Sequence, residues 1–419
     1  MNTAKILPVN IPSQSPSSLS LVVDTVPDSM RIALVLDPFS IFLKDGVRLG
    51  VKWGNHAPQL AREFLGRGHV VRGFGAPPGV IPRSGEDLDP ESGAHGGGAL
   101  RTLKAFRPDV LVAYDALSPA AMRAARAARS LKAGLVLVES GPVGGGSWRE
   151  RILGRLGELA WGRLVRKTAH AVVALDEVAR VRALSEGFDQ GLVTVVPHGV
   201  DAGAFRPGLT STLVARRQMR GRIMLYVGRL LPERGLELLL LAFARTVAQG
   251  GDWNLVVAGE GPELPRLRAQ ADRLGVAASV HWLARPRDEE LPGLFGASTL
   301  VAAPYLSDAS NGIQVLRAMA CGVPVIASDL PRLQGLITSE KSGLLIAPGN
   351  LDAWVEGIRR ASGSPLMRKR WGTEARNIVA DRFAWESVSL RFETILAAAQ
   401  CRAREENEST LQLPDVAPS

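Results

Sequence analysis

Short apolar runs separated by amphipathic stretches set the plan of this chain. The first, RIALVLD (31–37), is followed by HVVRGFG (69–75), DVLVAYD (109–115), GLVLVES (134–140), HAVVAL (170–175) and LVTVVP (192–197). Runs that are short and mostly apolar, without strict alternation, are what parallel strands covered on both faces require. Helical patterns lie between them. Ser118 and Pro119 suit an N-cap and a first helical position for the segment AAMRAARAARSLK that follows. This alternation predicts a doubly wound parallel sheet. A second series begins after VDAGAFRPG (200–208), with IMLYVG (223–228), NLVVAG (254–259), SVHWL (279–283), TLVAAP (299–304), PVIAS (324–328) and GLLIA (343–347). About six strands in each half predict an α/β chain with two Rossmann-like sheets facing one another across a cleft. Ligands of such sheets bind beyond the carboxyl ends of the strands.

At 419 residues the chain is too long for a single core, which agrees with two domains. The expected division is an N-terminal domain over 31–206, a linker over 207–220 and a C-terminal domain over 221–384. Residues 1–30 are rich in Ser and Pro and lack a basic start followed by a continuous apolar core, so they predict a disordered tail and not a signal peptide. The net charge of +9 and pI near 10 are carried mostly by Arg. Such a balance favours nucleotide phosphates, acidic lipid or nucleic acid, and equally reflects a genome rich in Arg codons. A nucleic-acid reading has only this charge behind it, because no recognised module is present. The two cysteines, Cys321 and Cys401, suggest neither a disulfide framework nor a metal site, and fit a reducing cytoplasm. No apolar run is long enough to span a membrane.

Several chemical signatures are missing: GxxxxGK[ST], HExxH and GxSxG. Gly259-Glu260-Gly261 lacks the third glycine of a dinucleotide fingerprint, which argues against hydride transfer. The six histidines show no ligand spacing, and His281 reads as a packed strand residue. The stretch LYVGRLLPERGLELLLLAFA (225–244) carries more chemistry. It reads as a strand, a turn bearing Arg229 and Arg234, and an apolar helix. Two cations five residues apart at a strand's carboxyl end suit a diphosphate, each charge-assisted hydrogen bond being worth about 1.5–3 kcal/mol. The alternative is a pair of solvated arginines. It is weakened because cations at a helix N-terminus oppose the macrodipole and need another partner.

Taken together, the motifs resemble those of retaining GT-B glycosyltransferases of family 4, the group 1 transferases. The resemblance runs from about Arg31 to Leu396. Its N-terminal motifs are GRGHVV (66–71), FRPDVLV (106–112) and VVPHGVDAGAFRP (195–207). The C-terminal ones are VGRLLPERG (227–235), VVAGEGPELPRL (256–267), RAMACGVPVIASD (317–329), GLLIAPGN (343–350) and RFAW (382–385). What it implies is two facing Rossmann-like domains, with a helix over 385–400 returning to the first and a polar tail over 401–419. The implied chemistry is metal-independent, retaining hexosyl transfer from a nucleoside diphosphate sugar to a glycan or lipid-linked acceptor, with no further cofactor. The implied setting is the cytoplasm.

By the same resemblance, Gly228-Arg229 and Arg234 hold the donor diphosphate. Arg234 replaces the usual Lys, turning a point charge into a planar fork. Glu260 and Gly261 line the nucleotide pocket. The family's Glu-x7-Glu pair is absent, its positions holding Ala309 and Arg317. A one-residue shift lets Asp308 stand for the first carboxylate, while Arg317 is expected to face the nucleotide and cannot accept its ribose hydroxyls. Ser310-Asn311-Gly312 opens a helix whose free N–H groups suit phosphate, with Asn311 as candidate cap. Where relatives have a His after the fourth strand, this chain has Glu139 or Ser140. Gly50 or Gly54 takes the place of a glycine near the donor phosphate. The missing carboxylates also favour an alternative, a catalytically inactive GT-B protein that binds nucleotide-sugar or serves as a partner subunit. The basic stretch 147–170, with Trp148 and Trp161, suits either peripheral contact with anionic membrane or packing on its own sheet.

Overall fold

The structure is a computed structural model and describes residues 29–36, 56–75, 98–141, 158–219, 221–248, 250, 252–308 and 310–411. The expectations for the 1–28 part of the tail, for Gly50, Gly54 and Trp148, and for 412–419 lie outside those residues. Six strands form the first sheet: β1 (Arg31–Val35), β2 (Val70–Phe74), β3 (Val110–Tyr114), β4 (Gly134–Glu139), β5 (Ala171–Ala174) and β6 (Val193–Val195). Their order is β2-β1-β3-β4-β5-β6, and every pairing is parallel. The second sheet holds β7 (Arg222–Val227), β8 (Trp253–Ala258), β9 (Val280–Leu283), β10 (Leu300–Ala303), β11 (Val325–Ser328) and β12 (Leu344–Ile346). It is also parallel throughout and runs β12-β11-β10-β7-β8-β9.

Each apolar run holds one strand, because helices cover both faces and leave no position for alternating polar side chains. Every residue of β3 and β4 is buried. The helix Pro119–Leu131 starts at Ser118, whose hydroxyl accepts the Ala121 N–H at 3.1 Å. In the second sheet the strand order reverses between β7 and β10. Such a switch point is where an open parallel sheet places its ligand site.

The chain crosses between the domains twice, side by side. Val200 donates to the Phe383 carbonyl at 2.8 Å, and Trp385 donates to the Val200 carbonyl at 3.2 Å. A Cβ on Gly199 would lie 2.4 Å from the Trp385 ring, so only glycine lets the two crossings touch. The helix Trp385–Leu411 then packs on the first sheet, with Val388, Phe392 and Leu396 in the same core cluster as Ile32 and Val136. This helix runs past residue 400, into the segment expected to be a polar tail. Residues 401–411 are mostly good helix formers. They also find partners in the first domain: Arg402 donates to the His170 carbonyl at 2.6 Å and Asn407 to the Lys132 carbonyl at 3.3 Å.

Candidate functional site

Three loops at the carboxyl ends of β7, β8 and β10 are locked together by backbone contacts. Gly228 donates to Ala258 at 3.0 Å, Leu230 to Glu260 at 2.9 Å and Leu306 to Glu233 at 2.9 Å. Side chains are excluded at the contacts. A Cβ would meet the Gly228 carbonyl oxygen at 1.8 Å from Gly259, that of Leu230 at 2.2 Å from Gly261, and that of Pro304 at 1.8 Å from Gly235. The result is a platform of main chain beyond the strand ends, at the switch point of the sheet. Arg229 stands exposed on it, its carbonyl held by the Tyr226 hydroxyl at 2.8 Å. Arg234 ends the short turn Pro232–Arg234, half-buried, with its guanidinium 5.2 Å from the Tyr305 ring centre. Glu260 is exposed and accepts the Arg285 N–H at 3.4 Å.

Beside the platform lie Asp308 and the segment 310–312. Ser310 Oγ accepts the Gly312 N–H at 3.3 Å, and Asn311 Oδ1 accepts that of Ile313 at 3.4 Å. Gly312, not Asn311, caps the helix Ile313–Ala320, with a φ of 71° that suits glycine. Asp308 Oδ1 accepts the backbone N–H of Arg332 at 3.3 Å. Arg317 turns toward the interdomain hinge. Its guanidinium lies 5.0 Å from the Phe205 ring centre and donates to Gln314 at 3.4 Å. Burial pulls the Arg317 pKa down, and its charge adds to the burial that holds His198 at about 4. The hinge face is a correction to the expectation that Arg317 looks onto the nucleotide: stacking on Phe205 fixes which side of the helix it takes.

In the N-terminal domain Glu139 is buried completely. Its carboxylate accepts N–H groups from Ala116 at 3.3 Å and Gly141 at 3.1 Å, and Arg182 Nε lies 3.6 Å away. Burial first, and then the nearby Asp115, raise its pKa from 4.5 to about 7. Glu139 therefore points into its own domain and offers no carboxylate to the cleft, because the turn at Gly141 folds back over it. Ser140 is nearer the cleft, with its hydroxyl donating to Asp115 at 3.3 Å. The hinge beneath holds buried His56 and His198, rings 5.1 Å apart, and His56 Nδ1 lies 2.9 Å from the Tyr114 hydroxyl. Among the described residues no cluster of His, Cys, Asp or Glu is arranged to hold a metal. His281 packs at the strand edge, Nε2 2.8 Å from Asn254 Oδ1. Trp161 packs on its own domain, its indole N–H donating to the Leu117 carbonyl at 3.2 Å.

Arg332 belongs to none of the motifs, and its one signal in the sequence is its place after a buried strand's carboxyl end, which Arg229 shares. Its side chain is 2% exposed and pairs with Asp176 at 3.1 Å across the cleft.

Residues 214–378 match the family of glycosyl transferases group 1. The matched stretch takes in all six strands of the second sheet. Among curated relatives, the D-inositol 3-phosphate glycosyltransferase of Segniliparus rotundus is 33% identical over 210 residues, 48% of this chain and 46% of the relative. The enzyme of the same name from Mycobacterium tuberculosis is 29% identical over 272 residues, 61% of this chain and 53% of its own. The chain thus spans about half the length of the curated relatives it matches. Solved structures extend the likeness across both domains. Anabaena Alr3699/HepE in complex with UDP superposes with a TM-score of 0.69 at 20% identity, covering 88% of this chain and all of that one (100%). A glycosyltransferase from Rickettsia africae gives 0.71 at 14% identity, covering 89% of this chain and 99% of that one. The fold of the chain is GT-B.

Proposed function

We propose that the chain transfers a hexosyl group from a nucleoside diphosphate sugar to a glycan or glycolipid acceptor, with retention and without a metal ion. The observation that carries this reading is the glycine-built platform at the β7–β10 switch point, with Arg229 exposed on it, in the stretch that matches group 1. Guanidinium charge on this platform would meet the negative charge that develops on a departing nucleotide diphosphate, a large catalytic contribution when the donors are preorganised. Neighbours of the same fold support it, since HepE is described in complex with UDP and with UDP-glucose. The curated relatives are named for a phosphorylated acceptor, inositol 3-phosphate. An anionic acceptor suits a chain of net charge +9. No helix among the described residues is long and apolar enough to cross a membrane. A cytoplasmic setting, with contact at an anionic membrane face for a lipid-linked acceptor, completes the reading.

Arg229→Ala is expected to weaken UDP binding by about 1.5–3 kcal/mol, the worth of charged hydrogen bonds. Unchanged affinity by titration calorimetry counts against the diphosphate site. Asp308 lies beside the donor turn and stands for the missing first carboxylate. Asp308→Asn is expected to cut donor turnover roughly 10- to 100-fold while leaving UDP affinity nearly as it was, because the loss falls on the transferred sugar. If the unaltered protein turns over no nucleotide-sugar yet binds UDP, the binding-subunit reading replaces the enzymatic one, as the absent Glu pair would then suggest.

A further inference from the structure

Arg332 stands where the loops of both sheets meet. Nη2 donates to the Ser140 carbonyl at 3.1 Å, and Nε faces the Asp176 carboxylate at 3.1 Å; both partners belong to the N-terminal domain. Nη1 donates at 3.4 Å to the carbonyl of Ser310, in the turn beside the donor platform. The residue's own N–H goes to Asp308 at 3.3 Å. Gly141 leaves the room for this, since a Cβ there would lie 2.5 Å from Nη2. A buried guanidinium needs its partners, and stranding it is far costlier than never burying it. These contacts can exist together only in one relative placement of the domains. Asp176 and Asp308 also approach from opposite domains, so without the cation between them two carboxylates would repel across the cleft.

We propose that Arg332 is a positioning residue, an interdomain latch that fixes Asp308 and Ser310 against the carboxyl ends of β4 and β5 and so sets donor and acceptor faces in register. The latch deepens the transferase reading, and only the turnover arm of its test rests on that reading. Two variants probe it from opposite domains, Arg332→Gln and Asp176→Asn. The second keeps the helix cap that Asp176 gives Ala179 at 2.7 Å, because Asn caps as well as Asp, and removes only the charge. With UDP present, small-angle scattering should show a larger radius of gyration for each variant than for the unaltered protein. In thermal melts the double variant should lose no more than the worse single one, as partners in one contact do. Additive losses with unchanged scattering would overturn the latch. If Arg332→Gln fails to fold, the scattering of Asp176→Asn alone decides. In turnover, kcat should fall about tenfold or more with the donor KM within about threefold, since misplaced reacting groups lose rate more than binding, and Arg332→Lys should regain part of it. An equal rise in KM would mark a merely structural role and overturn the positioning claim. Absence of turnover in every form would sink the transferase reading while leaving scattering and melting to decide the latch.

Discussion

Gly235→Ala is expected to destabilise the C-terminal domain by about 2–5 kcal/mol and to abolish UDP binding in whatever fraction still folds. Two penalties combine. The residue sits at φ +68°, where an L side chain costs roughly 1–2 kcal/mol. Its Cβ would also fall 1.8 Å from the Pro304 carbonyl oxygen, a backbone atom that cannot rotate away. Forcing the β7 and β10 loops apart adds an overpacking cost of about 1–3 kcal/mol or more. Those loops together build the platform, so the same displacement that lowers stability spoils it. A built-in control exists at Gly275, which has the same φ of +68° and nothing within 4 Å of the point a methyl group would occupy. Gly275→Ala should show the conformational penalty alone. At roughly 2–4 °C per kcal/mol for a domain of this size, calorimetry should place Gly235→Ala several degrees below Gly275→Ala. Equal melting temperatures would mean that the loops tolerate separation and that the platform is not tightly built.

The two sheets were legible because burial on both faces leaves a signal in the sequence. A strand such as β4 has no solvent face, so GLVLVE carries no polar alternation and stands out from the helices around it. The loop glycines were legible as motifs, but their reason was not. That Gly259 and Gly261 exclude a Cβ follows from contacts with Gly228 and Leu230, residues on another strand's loop. Arg332 was missed for the same kind of reason at longer range. Its Ser140 partner is 192 positions away, in the other domain, and no local pattern reports a contact of that separation. Orientation was the other failure. A sequence places Glu139 at a strand end and Arg317 on a short helix, but which way each points depends on the turn at Gly141 and on Phe205 in the hinge. The helix end expected at residue 400 falls short because the partners that hold 401–411, the carbonyls of His170 and Lys132, lie on the first domain and leave no local signal.

Glu139→Gln is expected to remove part of the protein's pH dependence. The folded-state pKa of Glu139 is raised, to about 7 from an ordinary 4.5, chiefly because burial disfavours the charged form. The sign follows from proton counting. Between those values the folded protein holds a proton that the unfolded chain has released, so stability falls as pH rises across that window. Below it both states are protonated and the group contributes nothing; above it the folded state carries a buried charge at a cost on the order of 3 kcal/mol. Glutamine resembles the protonated acid in shape and charge and does not titrate. It still accepts one of the N–H groups from Ala116 and Gly141, while Arg182 keeps its closer partner Glu186 at 2.8 Å. Urea unfolding at pH 5 should therefore find the variant level with the unaltered protein or about 1 kcal/mol weaker, from one imperfect hydrogen bond. At pH 8.5 the variant should have gained on the unaltered protein by up to about 3 kcal/mol relative to that starting point. The buried histidines titrate equally in both proteins, so the difference isolates residue 139. A difference that stays flat between pH 5 and 8.5 would show that Glu139 does not titrate in this window, and that its carboxylate is better solvated than its burial beneath Gly141 implies.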